Sequence, residues 1–252
     1  MKLWILTAGH ADVDKGAVLT PGSGDGTRTT IAVPMYLVET GDARILVDTG
    51  MHPVHIDDPH HTFRGSPIDE AVVPVMRDED RLERRLGELG LGVGDLTHAV
   101  NTHLHFDHCG QNGALAGIPI LVQRAAYESA TAEPGYAHEY LAVPGLDYVL
   151  LDGDAEPAPG VRLLAAPGHA PGMQAVLVAL PRSGPLLLCG DAIAAREQLD
   201  TGNWGAADDP DAAAATAARL CRIAGETGAR MVFGHDVEQW GELLHAPDAA
   251  YE

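Results

Sequence analysis

Four apolar runs in this chain stop at residue types that hold metal ions, and this punctuation constrains the fold more than any other feature. The run "HAVNT" (98–102) leads into "HLHFDH", which carries His103, His105, Asp107 and His108. "VRLLAA" (161–166) leads to His169 in "PGHAPG", "PLLLC" (185–189) to Asp191 in "GDA", and "ARMVF" (229–233) to His235 in "GHD". Runs this short, bounded by glycine and proline, predict strands rather than helices. Loops at strand ends are where a layered α/β domain carries its chemistry.

Within the first cluster, three histidines at i, i+2 and i+5 cannot share one face of a helix, but they can converge from a loop. Imidazole and carboxylate suit zinc, iron, manganese or cobalt. A single His or Asp at a strand end is ordinarily a cap or a turn residue. Three of them, each after an apolar strand and beside so dense a cluster, favour a metal site assembled from distant parts of the chain.

The remaining pattern fills in the layers. "IAVPMYLVET" (31–40) and "ARILVDTG" (43–50), joined at "GD", predict a strand pair, with further strands at 118–123, 147–151 and 174–180. "DEDRLERRLGELG" (78–90) predicts a helix from Leu82, Leu86 and Leu89 at i, i+4 and i+7. A longer helix is expected over 208–228, with a cap at Asp208 or Asp209, Pro210 at its first position and Gly225 or Gly228 near its end. Two strand-rich halves, each followed by a helix, predict one domain over residues 1–252 built as a four-layer αββα sandwich. Spacing alone leaves other α/β layouts open.

Composition removes several partners. With 36 Asp and Glu against 16 Lys and Arg, the surface repels nucleic acid and anionic membranes. No stretch approaches the roughly 20 apolar residues of a membrane span, and the N-terminal apolar run is too short for a secretory signal. Three cysteines without a CxxC spacing argue against a disulfide framework and predict a reduced, cytoplasmic setting. Cys109 and Cys189 adjoin the candidate ligands and read as small buried residues. "MHPVHIDDPHH" (51–61) holds four histidines outside the pattern and is expected to be a mobile loop at the site mouth.

HxHxDH followed in order by His, Asp and His resembles the metallo-β-lactamase-fold hydrolases. More narrowly the chain resembles the N-acyl homoserine lactonases of that superfamily, through "LVDTGM" (46–51), "NTHLHFDHCGQNGAL" (101–115), "PILVQRAAYE" (119–128), "PGHAPGMQ" (167–174), "GDA" (190–192) and "FGHDVEQ" (233–239). The resemblance implies two divalent metals, zinc by default, with iron, manganese or cobalt also suited to the ligands. His103, His105 and His169 would hold one metal and Asp107, His108 and His235 the other, with Asp191 bridging. Asp48 would orient the histidine loop from behind, because a metal-ligating His usually donates its other N–H to a carboxylate or carbonyl. A water activated between two such ions would attack the carbonyl of a small lactone or ester, with Asp107 shuttling the proton to the leaving oxygen. The family includes dimers and monomers, so a homodimer is compatible with the resemblance.

One position departs from the pattern. In the lactonases a tyrosine three residues after the bridging aspartate hydrogen-bonds the substrate carbonyl, and here that position is Ala194. Three explanations compete: a hydroxyl from Tyr136 or Tyr140 reaches the site, Ala194 makes room for a different lactone or ester, or activity is weak. Phe106 is expected either to line the acyl pocket or to pack the loop. Within the fold, glyoxalase II is a rival, but its helical glutathione-binding region follows the last histidine ligand, and only 17 residues follow His235 here. Other ester or thioester hydrolases stay open. From a different class, a metal-containing binding protein with decayed catalysis is weighed against the enzyme, and the retention of seven ligand positions favours the enzyme.

Overall fold

The computed structural model describes residues 1–133 and 135–252. One sheet takes seven strands: β1 (Lys2–Asp14), β2 (Arg28–Glu39), β3 (Arg44–Val47), β4 (Val72–Val75), β5 (His98–Val100), β6 (Pro119–Gln123) and β7 (Asp147–Leu151). Their spatial order is β4-β1-β2-β3-β5-β6-β7, antiparallel from β4 to β3 and parallel from β3 to β7. A second sheet takes five: β8 (Ala155–Ala158), β9 (Val161–Ala165), β10 (Gln174–Val178), β11 (Leu186–Gly190) and β12 (Arg230–Phe233), in the order β12-β11-β10-β9-β8.

The two-residue period of a strand explains why both faces of most strands are apolar. Ile45 and Val47 of β3 point inward with Leu3, Ile5, Tyr36 and Val38, and they meet Leu163, Val176, Leu186 and Leu188 of the second sheet. Their neighbours turn outward: Leu46, Met35 and Leu37 pack under Leu82, Leu86 and Leu96. On the other side Leu164, Leu177 and Leu187 pack under Leu220 and Ile223 of the helix Pro210–Thr227. Three apolar layers separated by two sheets make the αββα sandwich that the sequence predicts. Among the described residues no helix is long and apolar enough to cross a membrane.

Local chemistry sets the element ends. Asp209 caps the long helix by accepting from Ala212 N at 3.0 Å, Pro210 opens it, and Gly228, at φ 69°, closes it in the left-handed region. Pro34 has no N–H to offer and sits opposite Thr7, where β1 bulges before His10. The helix expected over 78–90 is shorter, a 3₁₀ turn at Asp78–Asp80 followed by an α-helix over Leu82–Glu88. The break at Arg81 has a cause: buried Asp80 accepts from Arg77 N at 2.8 Å and pairs with Arg85, while Leu82 N donates to Gln111 Oε1 at 2.7 Å. The histidine-rich segment 51–61 is packed rather than open. His55 is buried between Pro59 and Thr62, and His52 stacks on Tyr140 with ring centroids 4.5 Å apart.

Candidate metal centre

The four punctuated strands deliver their residues to one end of the sandwich. After β5 the chain turns through Asn101 and Thr102 into the histidine loop and then a single helical turn, Phe106–Cys109. The loop is tied internally, because Asn101 Nδ2 donates to His108 O at 3.1 Å and Asn112 Nδ2 returns a bond to Asn101 Oδ1 at 2.8 Å. Gly110 lets it press on the strand end at "DTG"; a Cβ there would lie 2.3 Å from His52 N. Parallel pairing of β11 with β12 sets Gly190 beside Phe233, which brings Asp191 and His235 together. Gly234 is required between them, since a Cβ would stand 2.7 Å from Asp191 Oδ1.

Two nests of ligand atoms result. In the first, His105 Nδ1 lies 2.9 Å from His103 Nε2 and 3.0 Å from His169 Nε2. In the second, Asp107 Oδ2 lies 3.5 Å from His108 Nε2 and 3.6 Å from His235 Nε2. Asp191 stands between them with one oxygen for each: Oδ2 is 3.4 Å from His169 Nε2, and Oδ1 is 3.1 Å from His235 Nε2.

The outer nitrogens are fixed from behind. Asp48 accepts from Thr102 N at 2.7 Å, from Thr102 Oγ1 at 2.8 Å and from His108 Nδ1 at 2.8 Å. With its own proton committed to Asp48, Thr102 Oγ1 accepts from His103 Nδ1 at 3.1 Å. His235 Nδ1 donates to Ala32 O at 2.8 Å. Each of these three rings therefore turns Nε2 inward as the atom that accepts.

The donor set fits cations. Three imidazole nitrogens within 3.0 Å of His105 Nδ1 or at it cannot all be hydrogen-bonded to one another, because one N–H serves one contact. His108 Nε2 and Asp191 Oδ1 are buried without a hydrogen-bond partner among the described residues. Burial holds His103 well below the usual imidazole range and His169 down at about 4, so both are neutral ligands at neutral pH. Burial would also lower His108, but Asp107, Asp191 and Asp48 outweigh it and hold the ring well above its usual value. Burial would raise Asp191, yet His235, His108 and His169 together keep its carboxyl well below the usual range. Carboxylates crowded around His108 demand positive charge, and a divalent ion supplies it without a proton.

The sequence pattern of the metallo-beta-lactamase superfamily matches residues 28–235. The chain is 39% identical to an N-acyl homoserine lactonase of a Bacillus sp, with 94% of each chain covered. It is 37% identical to N-acyl homoserine lactonase AiiA of Bacillus thuringiensis subsp. kurstaki, again over 94% of each. The chain belongs to the N-acyl homoserine lactonase family of the metallo-beta-lactamase superfamily. A solved N-acyl homoserine lactone hydrolase, with the product N-hexanoyl-L-homoserine at its catalytic metal centre, superposes at a TM-score of 0.92. That match has 35% identity and covers 98% of this chain and 97% of the other.

In this family member a cavity of about 270 Å³ lies over both nests and is lined by His105, Asp107, His169, Asp191 and His235. Phe106 and Ala194 both line it. Phe106 does so while meeting Phe63 edge to face at 4.7 Å and His55 at 5.8 Å. Tyr140 is engaged elsewhere, because its hydroxyl bonds Thr62 Oγ1 at 3.0 Å under the stacked His52 ring. Tyr136 sits beside His105, ring centroids 5.5 Å apart, without lining the cavity. The apolar lining from Ala11, Val13, Leu19, Ile31, Ile68 and Val72 is not singled out by the sequence. Only pairing of β1 with β2 and β4 brings those strand residues to the nests.

Proposed function

We propose that this lactonase-family chain opens the ring of lactones, N-acyl homoserine lactones first among them, with two divalent metal ions, zinc by default. The observation that carries the reading is Asp191, whose two oxygens face two different ligand nests. His103, His105 and His169 would hold one ion, Asp107, His108 and His235 the other, and Asp191 would bridge them. Bound there, such ions supply Lewis acidity that polarises the ester carbonyl and acidifies water.

The chain's own residues do the rest. Asp107 turns Oδ2 toward His108 and His235 and also lines the cavity. It is the group placed to take the proton of the attacking water and hand it to the ring oxygen as the C–O bond breaks, leaving a hydroxy acid. Asp48 keeps His108 in one tautomer directly and His103 through Thr102. Phe63 and Phe106 cover the reacting end with hydrocarbon and limit access of bulk water. The three cysteines are free and two are buried, consistent with a reduced, cytoplasmic setting.

A metal-binding protein without turnover is the second reading, favoured by the want of a hydroxyl in the cavity lining among the described residues. Metal analysis of purified protein, joined to pH-indicator assays on a panel of lactones and esters, separates the two. Two ions per chain with turnover of a lactone is the expected result. Metal-replete protein inert on every panel member would establish the binding reading instead.

A further inference from the structure

We infer that Gln174 is a positioning residue for the first nest: its side-chain amide pins the turn that carries His169 to the loop that carries His103 and His105. The inference rests on the two-metal reading above and adds what sets the spacing of one of those sites.

The first nest is assembled across the two sheets. His103 and His105 follow β5 of the seven-stranded sheet, whereas His169 comes from the turn between β9 and β10 of the other, closed where Ala166 N donates to Met173 O at 2.7 Å. The outer side of this turn is tied to the long helix and its cap. Pro167 O accepts from Thr216 Oγ1 at 2.6 Å, Gly168 O from Asp209 N at 3.0 Å and His169 O from Asp208 N at 3.2 Å. These bonds hold the His169 backbone to the helix, but they do not set its distance from the histidine loop.

That distance is set on the inner side by Gln174, fully buried at the start of β10. Its main-chain N–H donates to Thr102 O at 2.8 Å, and its Nε2 donates to Asn101 O at 2.8 Å and to Leu121 O at 3.3 Å. Its Oε1 accepts from Gln123 Nε2 at 2.9 Å. Gln123 closes on Gly153, accepting from its N at 2.9 Å and donating to its O at 2.8 Å. Both N–H groups and the carbonyl of the Gln174 amide are therefore engaged, and two carbonyls on one side fix which end is nitrogen. Elsewhere the space between the sheets is filled by hydrocarbon, with Val100 and Leu121 facing Leu163 and Val176. A buried amide adds little net stability in such a place, since its bonds chiefly offset its desolvation. What it adds is direction. Asn101 and Thr102 lead straight into His103, so two bonds from one residue of β10 fix where the histidine loop starts relative to the His169 turn. The second nest is held otherwise: Asp48 takes His108 Nδ1, and His235 N donates to Ala194 O at 2.7 Å. Loss of the Gln174 amide should thus loosen the first nest selectively.

The test titrates metal-free protein with Co2+, followed by its visible bands and by competition with a chromophoric chelator. His169→Gln takes a ligand from the first nest, and so identifies the uptake step that belongs to the second. Gln174→Met keeps the bulk of the side chain and removes its bonds; Gln174→Asn draws the amide back by one methylene. Gln123→Met removes the outer link and leaves the bonds to Asn101 and Thr102 in place. We expect both Gln174 variants to weaken the first-nest step by about tenfold to a hundredfold, the scale of partners behind a metal ligand, and to shift its cobalt bands. The second-nest step should keep its wild-type affinity, and Gln123→Met should lower Tm without weakening the first-nest step. Equal weakening of both steps overturns the inference, as does equal weakening by Gln123→Met, no weakening in a folded Gln174 variant, or failure of both Gln174 variants to fold. A wild type that takes up fewer than two ions overturns the two-metal reading and this inference with it.

Discussion

His108 Nδ1 lies 2.8 Å from Asp48 Oδ2, and Asp48 holds that position from a left-handed backbone, φ 58°, with its own N–H donating to Val100 O at 2.8 Å. A carboxylate so placed at a strand end fixes one histidine directly and, through Thr102, a second. Non-glycine residues in this region carry modest strain, which persists where the surroundings over-determine it.

Asp48→Asn removes the charge and keeps the shape. We expect metal affinity to fall by about tenfold to a hundredfold, read by competition with a chromophoric chelator. Unchanged affinity would falsify the positioning role of Asp48.

The metal-free protein carries a pH signature from His169, which burial holds at about 4. Its folded value is below that of the unfolded chain, so from about pH 6.5 downward the unfolded state takes up a proton that the folded state refuses until about pH 4. Stability from this group is therefore lost as pH falls through that window. In chelated protein the Tm of wild type relative to His169→Gln should drop between pH 7.5 and pH 5; a constant gap would sink the assignment.

Ala194→Tyr introduces a phenol beside the second nest and fills part of the apolar lining of the cavity with its ring. Turnover of N-acyl homoserine lactones should rise by about tenfold or more, as a donor to the developing oxyanion contributes at that scale. Steady-state kinetics on N-hexanoyl homoserine lactone checks this, and no change means that position 194 has been misread.

Tyr140, Thr62 and His55 form a chain of hydrogen bonds behind the cavity wall, with Tyr140 held protonated by burial, its hydroxyl pushed up to about 12. His55 Nδ1 donates to Pro59 O, leaving Nε2 to accept from Thr62. Tyr140→Phe removes one donor and should lower stability by about 1 kcal/mol. Thr62→Val strands two partners and should cost about 2–3 kcal/mol. Urea denaturation measures both, and equal losses would mean the three residues do not act as a chain.

The elements that were legible in sequence are those in which short-range chemistry agrees with the fold. The strand pair at 31–50, the strand at Asp147–Leu151 and the capped helix Pro210–Thr227 all lie where periodicity and turn residues put them. The histidine loop was legible because no bland element packs three imidazoles and a carboxylate into so few positions. The helix over 78–90 was misjudged at its start, because the break at Arg81 is made by Gln111, distant in sequence. The order of the histidine-rich segment 51–61 was equally hidden, since Tyr140 and Thr62 complete its packing.

By itself the sequence determined the seven candidate ligands, the strands that end at them and the layered class of the fold, because strand period and ligand chemistry are local properties. Tertiary structure alone decided that Asp191 turns one oxygen to each nest and that an apolar cluster lines the same cavity as His235. The first follows from parallel pairing of β11 with β12, the second from β1 lying against β2. Which strands lie side by side is settled by burying both faces of two sheets at once, and no stretch of the chain carries that information alone.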